Sequence, residues 1–152
     1  MTERFKAPSA CILLLIKQEN CRKKVLLQRR RNTGFADGLW DFSCSGHVEH
    51  GESMKDTVVR EAKEELGIKI EKSSVNFSVF VHKREEESDI TYYNAYFVCY
   101  DFVGEPRVCE SGKCAELKWF DIDNLPEDLI DDRKEVAKAF LNGVHYLEYG
   151  WQ

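Results

Sequence analysis

Residues 53–66 form the strongest helical stretch in the chain, and they carry its most unusual pattern of charge. Ser53 is placed to cap the helix, with Asp56 three residues on as the acidic partner of a capping box. Gly67 stops it, because glycine tolerates the left-handed conformation that ends many helices. At roughly 100° per residue, Glu61, Glu64 and Glu65 fall within an arc of about 100°. Val58, Val59, Ala62 and Leu66 fill the adjoining arc. Such a helix packs one side on a sheet and borders it with carboxylates. Three close carboxylates repel one another and favour a hard divalent cation with oxygen ligands. The bland alternative is a solvated acidic face. Lys63 is the only base among them, so ion pairing does not account for the row.

The rest of the chain supplies a sheet for that helix. Residues 10–17 and 24–29 read as strands, as do 39–43, 75–83, 90–102 and 117–122. A second helix is expected at 133–141, and 84–89 reads as a hairpin loop. This order suggests an α/β (α+β) protein, a mixed sheet with helices on both faces. The length of 152 residues fits one domain, 1–152, since no linker or repeat divides it. No apolar run approaches the roughly 20 residues of a membrane span. A net charge of −5 disfavours polymeric nucleic acid as a partner. The N-terminus lacks the pattern of a secretion signal, and several of the six cysteines sit in apolar strands. Both point to reduced thiols in a cytoplasmic protein.

From Gly46 to Ile68 the sequence resembles the Nudix box at every fixed position: Gly46, Glu52, Arg60, Glu61, Glu64, Glu65 and Gly67, with Ala62 and Ile68 in the apolar places. The resemblance implies a Nudix-type α/β/α sandwich and a Mg²⁺-dependent hydrolase, with Mn²⁺ as a substitute. It implies metal ligation by Gly46 (through its carbonyl), Glu61, Glu64 and Glu65. It also implies that Glu52 and Arg60 lock the loop to the helix as a bidentate pair. Residues 104–110 resemble the MutT-type segment ending in a glutamate near the metals. That makes Glu110, with Glu61 and Glu64, a candidate catalytic carboxylate, and Glu116 its rival.

Three further residues are candidate substrate contacts. Trp119 offers a surface for stacking on a nucleobase, although a core role is its alternative. Arg29 and Arg31 are candidates for phosphate, because alternate strand residues share a face. His47 and His50 flank the box and read as structural or solvent-facing. The implied partner is a small nucleotide; a homodimer is compatible with it.

The expected reaction is cleavage of the phosphoanhydride in a nucleoside diphosphate linked to another group, such as a nucleoside triphosphate or 8-oxo-dGTP. ADP-ribose, dinucleoside polyphosphates and CDP-alcohols offer the same diphosphate. Two readings from other classes remain. One is a nucleotide sensor that does not cleave. The other is an isopentenyl-diphosphate isomerase-like enzyme, for which residues 42–47 are suggestive. That family's catalytic cysteine would fall at Ser45, however, not at Cys44.

Overall fold

The first strand organises the molecule. In the computed structural model, which describes residues 2–152, β1 spans Ser9–Glu19. From Cys11 to Ile16 every residue is at most 2% exposed. Side chains alternate between the two faces of a strand. Ile12, Leu14 and Ile16 therefore enter one apolar cluster, and Cys11, Leu13 and Leu15 enter another. A near-continuous apolar run is what a strand covered on both faces needs.

One edge of β1 is shared by two partners. Its first half runs antiparallel to β4 (Cys44–His47) and its second half antiparallel to β2 (Arg22–Arg30). Along the other edge it runs parallel to β6 (Ile90–Cys99). Outward from β6 lie β5 (Asn76–Glu85), antiparallel to it, and β8 (Tyr146–Tyr149), parallel to β5. On the other side β2 pairs with β3 (Trp40–Phe42) and β7 (Cys114–Asp121).

Two helices cover the faces. α1 (Met54–Glu61) and the turn that continues it pack Val58, Ala62 and Leu66 on the Leu13 side. α2 (Asp131–Leu141) packs Val136, Ala137 and Ala139 on the Leu14 side. The result is an α/β/α sandwich around a mixed sheet, as the order of elements implies.

Four details differ from the sequence expectation. The strand at 39–43 is two strands: β3 ends at Phe42 and β4 starts at Cys44, so the chain passes from the β2 edge to the β1 edge around Ser43. The helix is not uniform, since Ala62–Leu66 is a π-helical turn, ended by Gly67 at φ 68°. The strand expected over 90–102 ends at Cys99. β8 is only four residues long, too short to announce itself; its support comes from β5. All six cysteines are free. Among the described residues, no helix is long and apolar enough to cross a membrane.

Candidate active site

The site begins where α1 leans on β4. A Cβ on Gly46 would collide with the Glu61 carboxyl group, so only glycine lets that carboxylate lie against the strand. One turn later, Glu65 Oε2 accepts the Ser45 backbone N–H at 3.1 Å. The π turn that carries Glu64 and Glu65 is wider than an α turn, a local distortion common at functional sites. Burial, followed by the nearby Glu61 charge, pushes Glu65 up to about 8, against the opposing effect of the Ser45 N–H.

Arg60 ties these carboxylates to the loop before the helix. Its Nε and Nη2 donate to both oxygens of Glu52, at 3.1 and 2.8 Å. Its Nη1 donates to Glu61 at 2.6 Å and to Glu64 at 3.3 Å, and Nη2 also reaches the His47 carbonyl at 3.3 Å. Glu52 is held further by the Glu49 N–H and the Thr57 hydroxyl, at 2.9 and 2.7 Å. The Arg60 hydrogen bonds, with those two donors, lower Glu52 to about 2. Loop, helix and strand thus meet on one guanidinium.

Above this junction runs a groove of about 400 Å³. Five glutamates line it (Glu49, Glu61, Glu64, Glu65 and Glu110), against one arginine and one lysine, Arg60 and Lys113. Such an excess of hard oxygen donors fits a divalent cation. Among the described residues, no three acidic, histidine or cysteine side chains form a preassembled metal cage. Arg60 draws Glu61 and Glu64 toward itself. The groove opens into a cavity of about 570 Å³; Ser45, Gly46, Glu65 and Glu110 belong to both.

The carboxylates singled out in the sequence converge on this groove: Glu61, Glu64, Glu65 and Glu110 all line it. The substrate candidates lie elsewhere. Arg29 stacks on Trp40 with its guanidinium carbon 4.5 Å from the ring centroid, and bonds to Gly38 and Asp128 at 2.8 and 3.3 Å. Arg31 is bound to the Ser111 carbonyl. Trp119 packs beside Phe102 under Lys17, against the α1-side cluster. None of the three lines the cavity. The alternation on β2 has the opposite phase, with Gln28 and Arg30 facing the cavity. Glu116, the rival to Glu110, faces Arg29 at 3.5 Å. Cys44 is 1% exposed, and burial, with Glu65 and Glu61 close by, raises its thiol far above the ordinary range. It is a buried core residue, packed in the α1-side cluster.

Sequence patterns gave no sign of the cavity's other wall, formed by Arg30, Phe35, Lys83, Asn94 and Arg133. These come from five separate segments, and no motif spans them.

The chain is similar to known proteins over most of its length. A family model described as NUDIX domain matches residues 6–140. A CTP pyrophosphohydrolase of Escherichia coli (strain K12) is 39% identical over 75 residues, 49% of this chain and 53% of that protein, so the match spans about half of that relative's length. An ADP-ribose pyrophosphatase of Methanocaldococcus jannaschii is 29% identical over 134 residues, 88% of this chain and 73% of that protein. The crystal structure of a MutT NUDIX hydrolase from Burkholderia pseudomallei superposes with a TM-score of 0.76 at 25% identity, covering 89% of this chain and 98% of that one.

Proposed function

This chain belongs to the NUDIX domain family of hydrolases, and on that premise we propose that it cleaves a nucleoside triphosphate between the α and β phosphates, with Mg²⁺ or Mn²⁺ as cofactor. One observation carries this proposal: the acidic groove and the larger cavity share a wall at Gly46, Glu65 and Glu110. A molecule with a polyphosphate at one end and a base at the other fits that junction.

Glu61, Glu64 and Glu65 would hold the metal from the helix, with the Gly46 backbone on the strand and Glu110 across the groove. When bound, the metal would screen phosphate charge and lower the pKa of a bound water. The chain's own groups do the rest. Glu64 is the most open of the helix carboxylates, with its side chain 52% exposed, and it makes a long contact to Arg60 at 3.3 Å. It is suited to accept the proton of an attacking water, and Glu110, whose side chain is 41% exposed, is the second candidate. Lys113, whose side chain is 70% exposed at the same groove, supplies positive charge to the phosphates. Arg60 keeps Glu61 and Glu64 in place and leaves Glu52 to hold the loop.

The relative named ADP-ribose pyrophosphatase supports a second reading, in which the same groove takes the diphosphate of a nucleotide sugar. We place the enzyme in the cytoplasm, acting on free nucleotides rather than polymers or membranes. A substrate panel decides between the readings: canonical and oxidised nucleoside triphosphates, ADP-ribose, dinucleoside polyphosphates and CDP-alcohols, each with Mg²⁺ and with excess EDTA. Triphosphates should give the highest kcat/KM, with nucleoside monophosphate and pyrophosphate as products and no turnover in EDTA. A nucleotide sugar or CDP-alcohol ahead of every triphosphate by tenfold would overturn the substrate. Tight binding without turnover of any panel member would overturn the hydrolase and leave a sensor.

A further inference from the structure

The wall of the cavity opposite the acidic groove is built from a buried charge network. Asp41 accepts from Arg30 at 2.9 Å and from Arg133 at 2.8 Å. Asp132 accepts from Arg133 at 3.0 Å and pairs with Lys83 at 3.1 Å. Three cations therefore share two carboxylates. The Phe35 ring lies against all three, at 5.2 Å from Arg30 and Lys83 and 5.7 Å from Arg133.

Each guanidinium carries five N–H donors and no acceptor, and an ammonium carries three. Arg30 spends its Nε on the Phe35 carbonyl and its Nη1 on Asp41; Arg133 spends Nε and Nη1 on the two aspartates. Donors are in excess on this wall. Beside them, Asn94 is 5% exposed and its Oδ1 is buried with no hydrogen-bond partner; Ser43 Oγ, 1% exposed, is in the same condition. Both residues line the cavity. Buried polar atoms without partners are uncommon and costly, and such atoms at a cavity wall call for a ligand that completes them.

Resting on the hydrolase reading above, we propose that this wall recognises the base of the nucleotide, and that it selects bases bearing a ring –CO–NH– edge. The donor-rich side, from Arg30, Lys83 and Arg133, matches carbonyl oxygens. Asn94, which both donates and accepts, matches the adjoining –CO–NH– edge. Uracil, thymine, guanine and oxidised guanine carry such an edge. Adenine has only an amino group and ring nitrogens there, and cytosine turns its amino group toward the cations. A second phosphate is a poorer fit, because Asp41 and Asp132 already offset most of the positive charge. A site built to hydrogen-bond a group rejects an analogue that lacks it, since its own buried atoms are then left unpaired.

The test separates base recognition from catalysis. Binding of dGMP, dTMP, dAMP and dCMP to the metal-free wild-type protein is measured by calorimetry, alongside Asn94→Ser and Asn94→Leu with thermal scans of both. The expected result is that dGMP and dTMP bind about tenfold tighter or more than dAMP and dCMP, and that a folded Asn94 variant loses most of this preference. Equal affinity for all four, no binding of dGMP and dTMP, or a preference unchanged in a folded Asn94 variant would overturn the proposal. Should either variant fail to fold, the other variant and the wild-type ranking decide. Base selectivity without triphosphate cleavage would leave this proposal standing and sink the hydrolytic one. Metal-dependent cleavage indifferent to the base would do the reverse.

Discussion

The two walls of the site hold similar numbers of charges and treat them in opposite ways. In the acidic groove, carboxylates outnumber cations and one of them, Glu65, is pushed up to about 8 by burial and by Glu61. In the opposite wall, Asp41 and Asp132 each have cations within hydrogen-bond distance. Asp132 is lowered even though burial, the largest influence on it, acts the other way; Arg133 and Lys83 outweigh it. One region is left electrostatically incomplete, with carboxylates in excess. The other is close to complete in its charges, with three cations to two carboxylates, and incomplete in its hydrogen bonds. The first is suited to a cation, the second to a neutral polar group.

The largest effect should come from breaking the complete side. Arg133 bridges Asp41 and Asp132 at 5% exposure. Removing one partner of a buried ionic cluster costs about 3–5 kcal/mol, because it strands the remaining charge. Arg133→Met should lower the midpoint of thermal unfolding by roughly 10 °C. A midpoint within a degree or two of wild type would mean that the network contributes little and that the contrast between the walls is wrong.

Breaking the incomplete side should do the opposite to stability. Glu65→Gln keeps the shape and the acceptor for the Ser45 N–H while removing a buried group that can ionise beside Glu61. Turnover should fall on the order of 10²–10³-fold, the usual cost of losing one preorganised electrostatic group. The metal-free protein should unfold at the same temperature or higher, since the cost of burying an ionisable group beside Glu61, as repulsion or as proton uptake, is gone. Calorimetry and steady-state kinetics on one preparation give both numbers. Full activity, or a large loss of stability, would assign Glu65 to the scaffold.

The same contrast governs what the sequence discloses. The groove is legible because it is local: Glu61, Glu64 and Glu65 sit within five residues, and the glycines that frame them have fixed spacing. The opposite wall joins Asp41 to Arg133 across 92 positions, and neither residue belongs to a pattern. Arg30 shows the limit most sharply. Within the run Arg29-Arg30-Arg31, period-2 logic says that one or two face the site, but not which phase applies; neighbouring β3 and β7 set that, with a register shift between Arg29 and Arg30. The sandwich itself was legible from strand order and from the doubly buried β1. β8 was not, because its pairing with β5 spans more than sixty residues.

Trp119 sharpens the boundary of the site. It is half-buried against Phe102 on the α1 side of the sheet and does not line the cavity. Trp119→Ala should therefore destabilise by about 2 kcal/mol, below the 3–5 of a fully buried aromatic. The KM for the best nucleotide should stay within twofold. A several-fold rise in KM at unchanged stability would return Trp119 to the substrate.

The smallest effect tests how far the groove depends on its own helix. Ser53 Oγ accepts the Asp56 N–H at 3.1 Å, and Asp56 accepts the Ser53 N–H at 2.9 Å and faces Lys72 at 2.9 Å. Losing a capping side chain costs about 1 kcal/mol, so Ser53→Ala should shift unfolding by only a few degrees. The pH dependence isolates the acidic half of the box. The Ser53 backbone N–H first, then Lys72, lower Asp56 to about 2. Its folded pKa thus lies below the unfolded value of about 3.9. The stability it adds is complete above that value and disappears as the pH falls toward about 2. Wild type and Asp56→Asn should differ near neutral pH and converge over that acid interval. A gap that persists at pH 2 would mean that the variant perturbs α1 by something other than charge. Should Ser53→Ala also lower kcat more than its modest loss of stability predicts, the groove carboxylates depend on the first turn of α1 for their position. If kcat holds, the clamp from Arg60 to Glu52 suffices to place them.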